Sequence, residues 1–310
     1  MKAPARSGPK RRGDGVGKLN RTGEELKSIA EVDAALYRAS YLSSKEISTT
    51  VFLAIVLGKP ILVEGPAGTG KTELAKAIAS ALDAELIRLQ CYEGLDDAKA
   101  IYEWNYSKQL LRIQSARSAG ADGAEWSDVK EDIFSEEFLL ARPLLRAISA
   151  TASAVLLIDE IDRVEVETEA LFLELLSDFQ VTIPEFGTIA ASRHPIVVLT
   201  SNNTRELSEA LKRRCLFLHI GYPSKEREKE ILTLKVPGLG DALAAQIADF
   251  VAMLRSLDLK KHPSISESLD WAVTLLTLGA SDFDSETVVS TLNVLLKYQG
   301  DIEKAIAKLN

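Results

Sequence analysis

Residues 65–72, GPAGTGKT, fit the pattern G-x-x-x-x-G-K-[ST] in full. Gly65, Gly68 and Gly70 let the backbone turn tightly and aim N–H groups at a polyphosphate. Pro66, Ala67 and Thr69 complete the loop. A helix opening at Lys71 adds the positive end of its dipole. Lys71 can reach the outer phosphates and Thr72 can ligate Mg²⁺. A second stretch, LLIDE at 156–160, ends an apolar run in two acids. Asp159 is suited to the Mg²⁺ shell, and Glu160 to polarising a water for attack on a γ-phosphate. Two solvated acids at a strand end are the plain alternative; the loop upstream favours the chemical one. A third stretch, TSNN at 200–203, offers an amide to the attacking water or the γ-phosphate. Asn202 and Asn203 compete for that role, and a turn or helix cap is the bland explanation.

Arg213 and Arg214 follow a short helical start and precede an apolar run. A departing γ-phosphate needs positive charge, and an arginine supplying it is worth roughly 10³–10⁵ in rate, in cis or in trans. On the flank of a five-stranded sheet these side chains would lie away from their own loop. Their natural target is then the nucleotide of a neighbouring subunit, a head-to-tail contact that closes into a ring or runs on as a filament. A salt-bridged helix C-terminus explains the two cations equally well. The chain has no N-K-x-D segment to select guanine, which leans the nucleotide toward ATP.

These groups need a scaffold, and the hydrophobic pattern supplies one. PILVE (60–64), ELIRLQC (85–91), AVLLIDE (154–160), PIVVLTSNN (195–203) and CLFLHI (215–220) read as strands. KTELAKAIASAL (71–82) is an amphipathic helix, and two further helices precede the first strand, the second stopping at Gly58. Near-continuous apolar strands separated by helices indicate a parallel sheet covered on both faces. Ligands of such sheets sit at the carboxyl ends of the strands, where the motifs lie. From residue 221 onward only helical periodicity remains, so the expected organisation is a basic tail (1–22), an α/β domain (23–220) and a helical domain (221–310).

The formal charge is −8, unevenly divided: residues 1–21 carry +6 and the remainder −14. Such an acidic body disfavours nucleic acid as a partner. The tail is rich in Gly, Pro and cations and is expected to be disordered, order beginning near Glu24. Cys91 and Cys215 stand far apart, which argues against a disulfide framework or a zinc site and fits a reducing cytoplasm. No apolar run reaches the roughly 18 residues needed to span a bilayer.

With the P-loop, Asp159-Glu160, the asparagine pair, Arg213-Arg214 and a helical C-terminal region in this order, the chain resembles the AAA+ ATPases. SDFQVTIPEFGTI (177–189) reads as a β-hairpin between the Asp159 strand and the asparagine strand, similar to the pre-sensor-1 insertion group. Residues 93–138 resemble the helix-2 insert of the MoxR branch. QCYEGLD, YEWNY, ALKRRC and LLKYQGDIEKA resemble the CoxD-like accessory proteins of aerobic carbon monoxide dehydrogenase. The resemblance runs from about residue 30 to the end. It implies Mg²⁺-dependent ATP hydrolysis in a ring of six subunits that remodels a client protein, a molybdenum hydroxylase, with a partner bearing a von Willebrand A domain. Asn202 matches the sensor-1 position and Arg214 the finger, with Arg213 its close neighbour. One departure stands out: Ser268 occupies the place of the sensor-2 arginine, and Arg227 and Arg255, the arginines of 221–310, fit that role poorly. The spacing of Tyr92, Tyr102, Trp104 and Tyr106 favours packing of the insert on its own domain over gripping a client. Phe186, in the hairpin turn, is the better candidate for substrate contact.

Overall fold

The computed structural model describes residues 20–21, 26–118, 133–184, 186–280 and 284–309. Five parallel strands form the central sheet: β1 (Ile61–Glu64), β2 (Glu85–Gln90), β3 (Ala154–Asp159), β4 (Ile196–Ser201) and β5 (Leu216–His219), in the order β5-β1-β4-β3-β2. All six residues of β3 and all six of β4 are buried, while the edge strand β2 alternates. Inner parallel strands are apolar on both faces because helices cover both.

The two faces sort by the period-2 rule. Ile61, Val63, Val155, Leu157 and Val198 meet α1 (Ile29–Arg38), α2 (Lys45–Leu57) and α3 (Lys71–Ala81). Leu62, Leu156, Ile158, Val197 and Leu199 meet α4 (Pro143–Ser149) and α5 (Val166–Asp178). Local chemistry bounds the first two helices, and of their caps the Gly58 stop is the one expected. Ser28 and Ser44 cap α1 and α2 through their hydroxyls, and Gly58 closes α2 in the left-handed conformation at φ 64°.

Between β2 and β3, the ribbon Tyr102–Trp104 pairs antiparallel with Leu139–Ala141 and precedes the helix Tyr106–Ser118. Trp104 is buried and meets Tyr102 and Phe134 edge-on at 6.1 and 5.1 Å. The expected packing of the aromatic set therefore holds for Trp104 and Tyr102. Tyr92 and Tyr106 depart from it: they are exposed, one in the turn after β2 and the other at the first position of the insert helix. The hairpin is present, Gln180–Ile183 against Gly187–Ala190, with Val181 and Ile183 buried and Phe186 exposed at the turn.

Residues 1–19 and 22–25, most of the expected disordered tail, lie outside the described residues. Asn20–Arg21 correct that expectation in part. They pair in parallel with Arg193–His194, because backbone pairing needs no apolar side chain and composition cannot reveal it. Cys91 and Cys215 are free, and burial pushes both thiols up to about 12.

The C-terminal helices are α6 (Lys225–Lys235), α7 (Asp241–Ser256), α8 (Ile265–Thr277), α9 (Ser285–Leu295) and α10 (Gln299–Leu309). They enclose their own core around fully buried Trp271, whose Nε1 donates to Thr291 Oγ1 at 2.8 Å. Inside it Glu228 is completely buried. It is held by Arg255 and by Ser268 Oγ at 2.7 Å. Among the described residues no helix is long and apolar enough to cross a membrane.

Candidate functional site

The loop after β1 is shaped by two close approaches. Gly65 lies at φ 152°, and a Cβ there would sit 2.0 Å from the carbonyl oxygen of Ile220, just beyond β5. Gly68 lies at φ 73°, and its Cβ would sit 2.2 Å from Ser264 Oγ, the N-cap of α8. Ser266 N also donates to Gly68 O at 3.3 Å, so the helical region rests directly on the loop. Gly70 precedes α3 in the left-handed region, and no side chain caps that helix start, which leaves its first N–H groups for an anion.

Lys71 is buried and donates to Gly65 O and Pro66 O at 2.8 and 2.7 Å. Burial holds its ammonium below the ordinary lysine value, against the opposing pull of Asp162, Asp159 and Glu160. Thr69 Oγ1 ties the loop through Pro66 O. Thr72 Oγ1 donates to Asp159 Oδ1 at 3.0 Å. Lys71, Thr72, Asp159, Glu160, Thr200 and Asn202 line one cavity of about 220 Å³ with Ala67, Gly68 and Gly70. Eight of the residues singled out from their spacing, Ala67, Gly68 and Gly70 among them, thus converge across three strand ends. Asn203, the competitor of Asn202, instead takes a left-handed turn conformation and donates its N–H to Ser201 Oγ.

Thr200 went unnoticed in the sequence. Its hydroxyl donates to Asp159 Oδ1 at 2.5 Å and accepts from Glu160 N at 2.9 Å, so it clamps both acids. Glu160 sits at φ 57°, a conformation that costs a non-glycine residue about 1 kcal/mol and needs such support. Arg88 and Gln90 on β2 also escaped notice. Arg88 meets Asp159 Oδ2 at 2.6 Å, and Gln90 Nε2 donates to Glu160 Oε2 at 3.2 Å. No local spacing marks these three, because their partners lie on other strands. Asp162, two residues beyond Glu160, is buried. Burial pushes its carboxyl up, but donation from the Thr204 hydroxyl and backbone outweighs this and holds it below the usual range.

A second cavity, of about 260 Å³, adjoins the first through Gly68, Gly70, Glu73 and Ser266. Tyr41, Ile47, Ile220, Pro223, Ile231 and Leu269 give it apolar walls from three separate parts of the chain. A polar cavity at a helix start beside an apolar slot can hold a nucleotide: phosphates in one, a planar base in the other.

Arg213 and Arg214 line neither cavity. Arg213 is 81% exposed, with Glu209 4.0 Å away. Arg214 folds back onto its own chain, donating to Ser177 Oγ and Ala210 O. The arginines of the helical region are engaged as well. Arg255 is bound to buried Glu228, and Arg227 donates to Ser43 O and pairs with Glu230 at the rim of the apolar slot. Ser268 is buried and does not line the cavity around Lys71.

The chain is similar to several known proteins. An uncharacterized protein of Staphylococcus aureus (strain USA300) is 27% identical over 229 residues, covering 72% of this chain and 77% of that relative. One of Staphylococcus haemolyticus (strain JCSC1435) is 26% identical over 218 residues, covering 68% and 73%. Among solved structures, RuvB of Thermotoga maritima, a Holliday junction branch migration motor, aligns with 81% of this chain and 67% of its own at 20% identity, with a TM-score of 0.44. The sequence profile of the ATPase family associated with various cellular activities matches residues 61–222, from the first residue of β1 to just past β5. Members of that family are typically ATPases that bind ATP with Mg²⁺, and the glycine cradle, the uncapped start of α3 and the Thr72–Asp159 donor set fit such a ligand. The chain belongs to the AAA ATPase family.

Proposed function

We propose that this chain is a Mg²⁺-dependent ATPase that uses hydrolysis to remodel a client protein. The observation that carries this reading is the convergence of Lys71, Thr72, Asp159, Glu160 and Asn202 on one cavity at the carboxyl edge of the sheet. Gly65, Pro66, Ala67, Gly68, Thr69 and Gly70 frame the phosphates. Lys71 exchanges two loop carbonyls for phosphate oxygens. Thr72 and Asp159 hold Mg²⁺, which when bound neutralises charge on the phosphates. Glu160 polarises the attacking water and Asn202 orients it. The apolar slot takes the adenine.

Residues 23–220 act as the ATPase domain, 221–310 as the lid and 1–22 as a basic tail. Proteins of this family commonly form rings. Arg213 and Arg214 stand off their own cavity, which supports their acting on a neighbour's γ-phosphate in a ring of six. At a finer level, the insert and the hairpin support a MoxR-type chaperone of the CoxD kind, working in the cytoplasm on a molybdenum hydroxylase such as carbon monoxide dehydrogenase with a von Willebrand A domain partner. Exposed Phe186 and Tyr106 suit client contact.

Steady-state hydrolysis and ATP binding test the reading together. Turnover should require Mg²⁺ and disappear in Glu160→Gln with binding retained, whereas Lys71→Ala should lose binding. Tight ATP binding by Lys71→Ala would refute the phosphate assignment. One observation favours a second reading, a nucleotide-gated scaffold with little turnover: both lid arginines are tied up in other contacts. Wild-type turnover no faster than that of Glu160→Gln would select it.

A further inference from the structure

The Asp159 carboxylate is almost wholly buried and accepts from three side chains. Two are neutral hydroxyls, Thr72 Oγ1 and Thr200 Oγ1. The third, Arg88, brings a full positive charge to Oδ2 at 2.6 Å. A buried carboxylate is stable only when paired or hydrogen-bonded, so Arg88 does for Asp159 electrostatically what a divalent cation would do.

Arg88 is also placed to leave. It projects from the edge strand β2, its side chain is half exposed, and its withdrawal empties no core. A landing place is at hand. The same guanidinium nitrogen donates to Gln90 Oε1, two residues along the same face of β2. With its oxygen turned to Arg88, Gln90 presents its amide nitrogen to Glu160 Oε2 at 3.2 Å. Asp159, Arg88, Gln90 and Glu160 thus form one polar chain joining the two acids.

We propose that Arg88 is the resident counter-ion of Asp159, exchanged for Mg²⁺ when metal and nucleotide load. It is a positioning residue that sets how much free Mg²⁺ the site requires. This rests on the Mg²⁺–ATP reading of the cavity above. The exchange breaks the Arg88–Asp159 pair and moves the guanidinium toward Gln90 and Glu160. No proton or electron is transferred. A dication and a guanidinium competing for one carboxylate, with largely aqueous screening on the open side, place the effect at about tenfold in the magnesium requirement.

The test is equilibrium binding of a non-hydrolysable ATP analogue to the full chain at fixed analogue concentration, titrated with free Mg²⁺ and repeated in excess EDTA. Arg88→Gln should lower the half-saturating Mg²⁺ about tenfold without tightening the EDTA affinity, and Arg88→Met should reproduce the shift. Arg88→Lys, which keeps the charge, should stay near wild type. A midpoint unchanged or raised in both neutral variants overturns the proposal. So does a shift in the lysine variant as large as in the glutamine one, since charge would not be its cause. Wild-type binding that ignores Mg²⁺ would defeat the metal reading and this inference together. Normal wild-type dependence with unmoved variants defeats the counter-ion alone.

Discussion

Replacing Thr200 with valine keeps the shape of the side chain and removes a single hydroxyl. Thr200 is 1% exposed, so little solvent reaches the bonds that are lost. Two hydrogen bonds disappear together. One is the donation to the Asp159 carboxylate at 2.5 Å, and bonds to charged groups contribute about 1.5–3 kcal/mol. The other is the acceptance from Glu160 N at 2.9 Å, whose loss strands a partly buried donor at about 1–3 kcal/mol. Arg88 and Thr72 remain on Asp159 and limit the damage, so about 3 kcal/mol is expected. For a domain of this size that lowers the melting temperature by roughly 6–12 °C. Hydrolysis should fall more than ATP affinity, because Glu160 loses the contact that supports its left-handed backbone while the loop glycines and Lys71 stay intact. Differential scanning calorimetry and steady-state ATPase assays measure the two effects, with Thr200→Ser expected to restore most of both. A valine variant that melts within about 2 °C of wild type and hydrolyses ATP normally would refute the clamp.

Further expectations test other contacts. Gly68→Ala forces a Cβ against Ser264 Oγ from a left-handed backbone, so it should lift the helical region off the loop and weaken ATP binding at least about tenfold by isothermal titration calorimetry. Arg255→Met leaves buried Glu228 with Ser268 as its remaining side-chain donor and should cost about 3–5 kcal/mol by chemical denaturation, with ATP binding to the surviving folded protein little changed. Lys71 is held below its ordinary value, so between its folded value and about 10.4 the unfolded chain binds more protons and stability rises with pH. Phosphate should raise Lys71 again, so ATP binding in that alkaline window should take up a proton, read as a buffer-dependent heat; an identical heat in all buffers would contradict it. Arg214→Ala and Arg213→Ala should each cut hydrolysis far more than ATP affinity. Mixing either with Lys71→Ala subunits should restore some activity if the arginines act across subunits.

The features legible in the order of residues lie within short stretches of chain. The P-loop was legible because its glycines, Lys71 and Thr72 are covalent neighbours between a strand and a helix, and each does its work within a turn of the backbone. The strands and the five C-terminal helices were legible because burial imposes a period of two or 3.6 on residues close in sequence. Tertiary structure alone decided which strands would be neighbours, and with that the rest of the site. The order β5-β1-β4-β3-β2 brings Thr200 beneath Asp159 from one side and Arg88 and Gln90 toward the two acids from the other. The alternation of β2 marks it as an edge strand, but no local pattern says that its neighbour is the strand carrying Asp159. The same holds for the placement of Asn202, and not Asn203, at the cavity, for the exposure of Arg213 beside an engaged Arg214, and for the apolar slot assembled from the α1–α2 connection, the end of β5 and the helical region. Periodicity reports whether a residue is buried; which distant residue it meets depends on strand order and helix docking, set by the summed burial of the whole chain rather than by any segment of it.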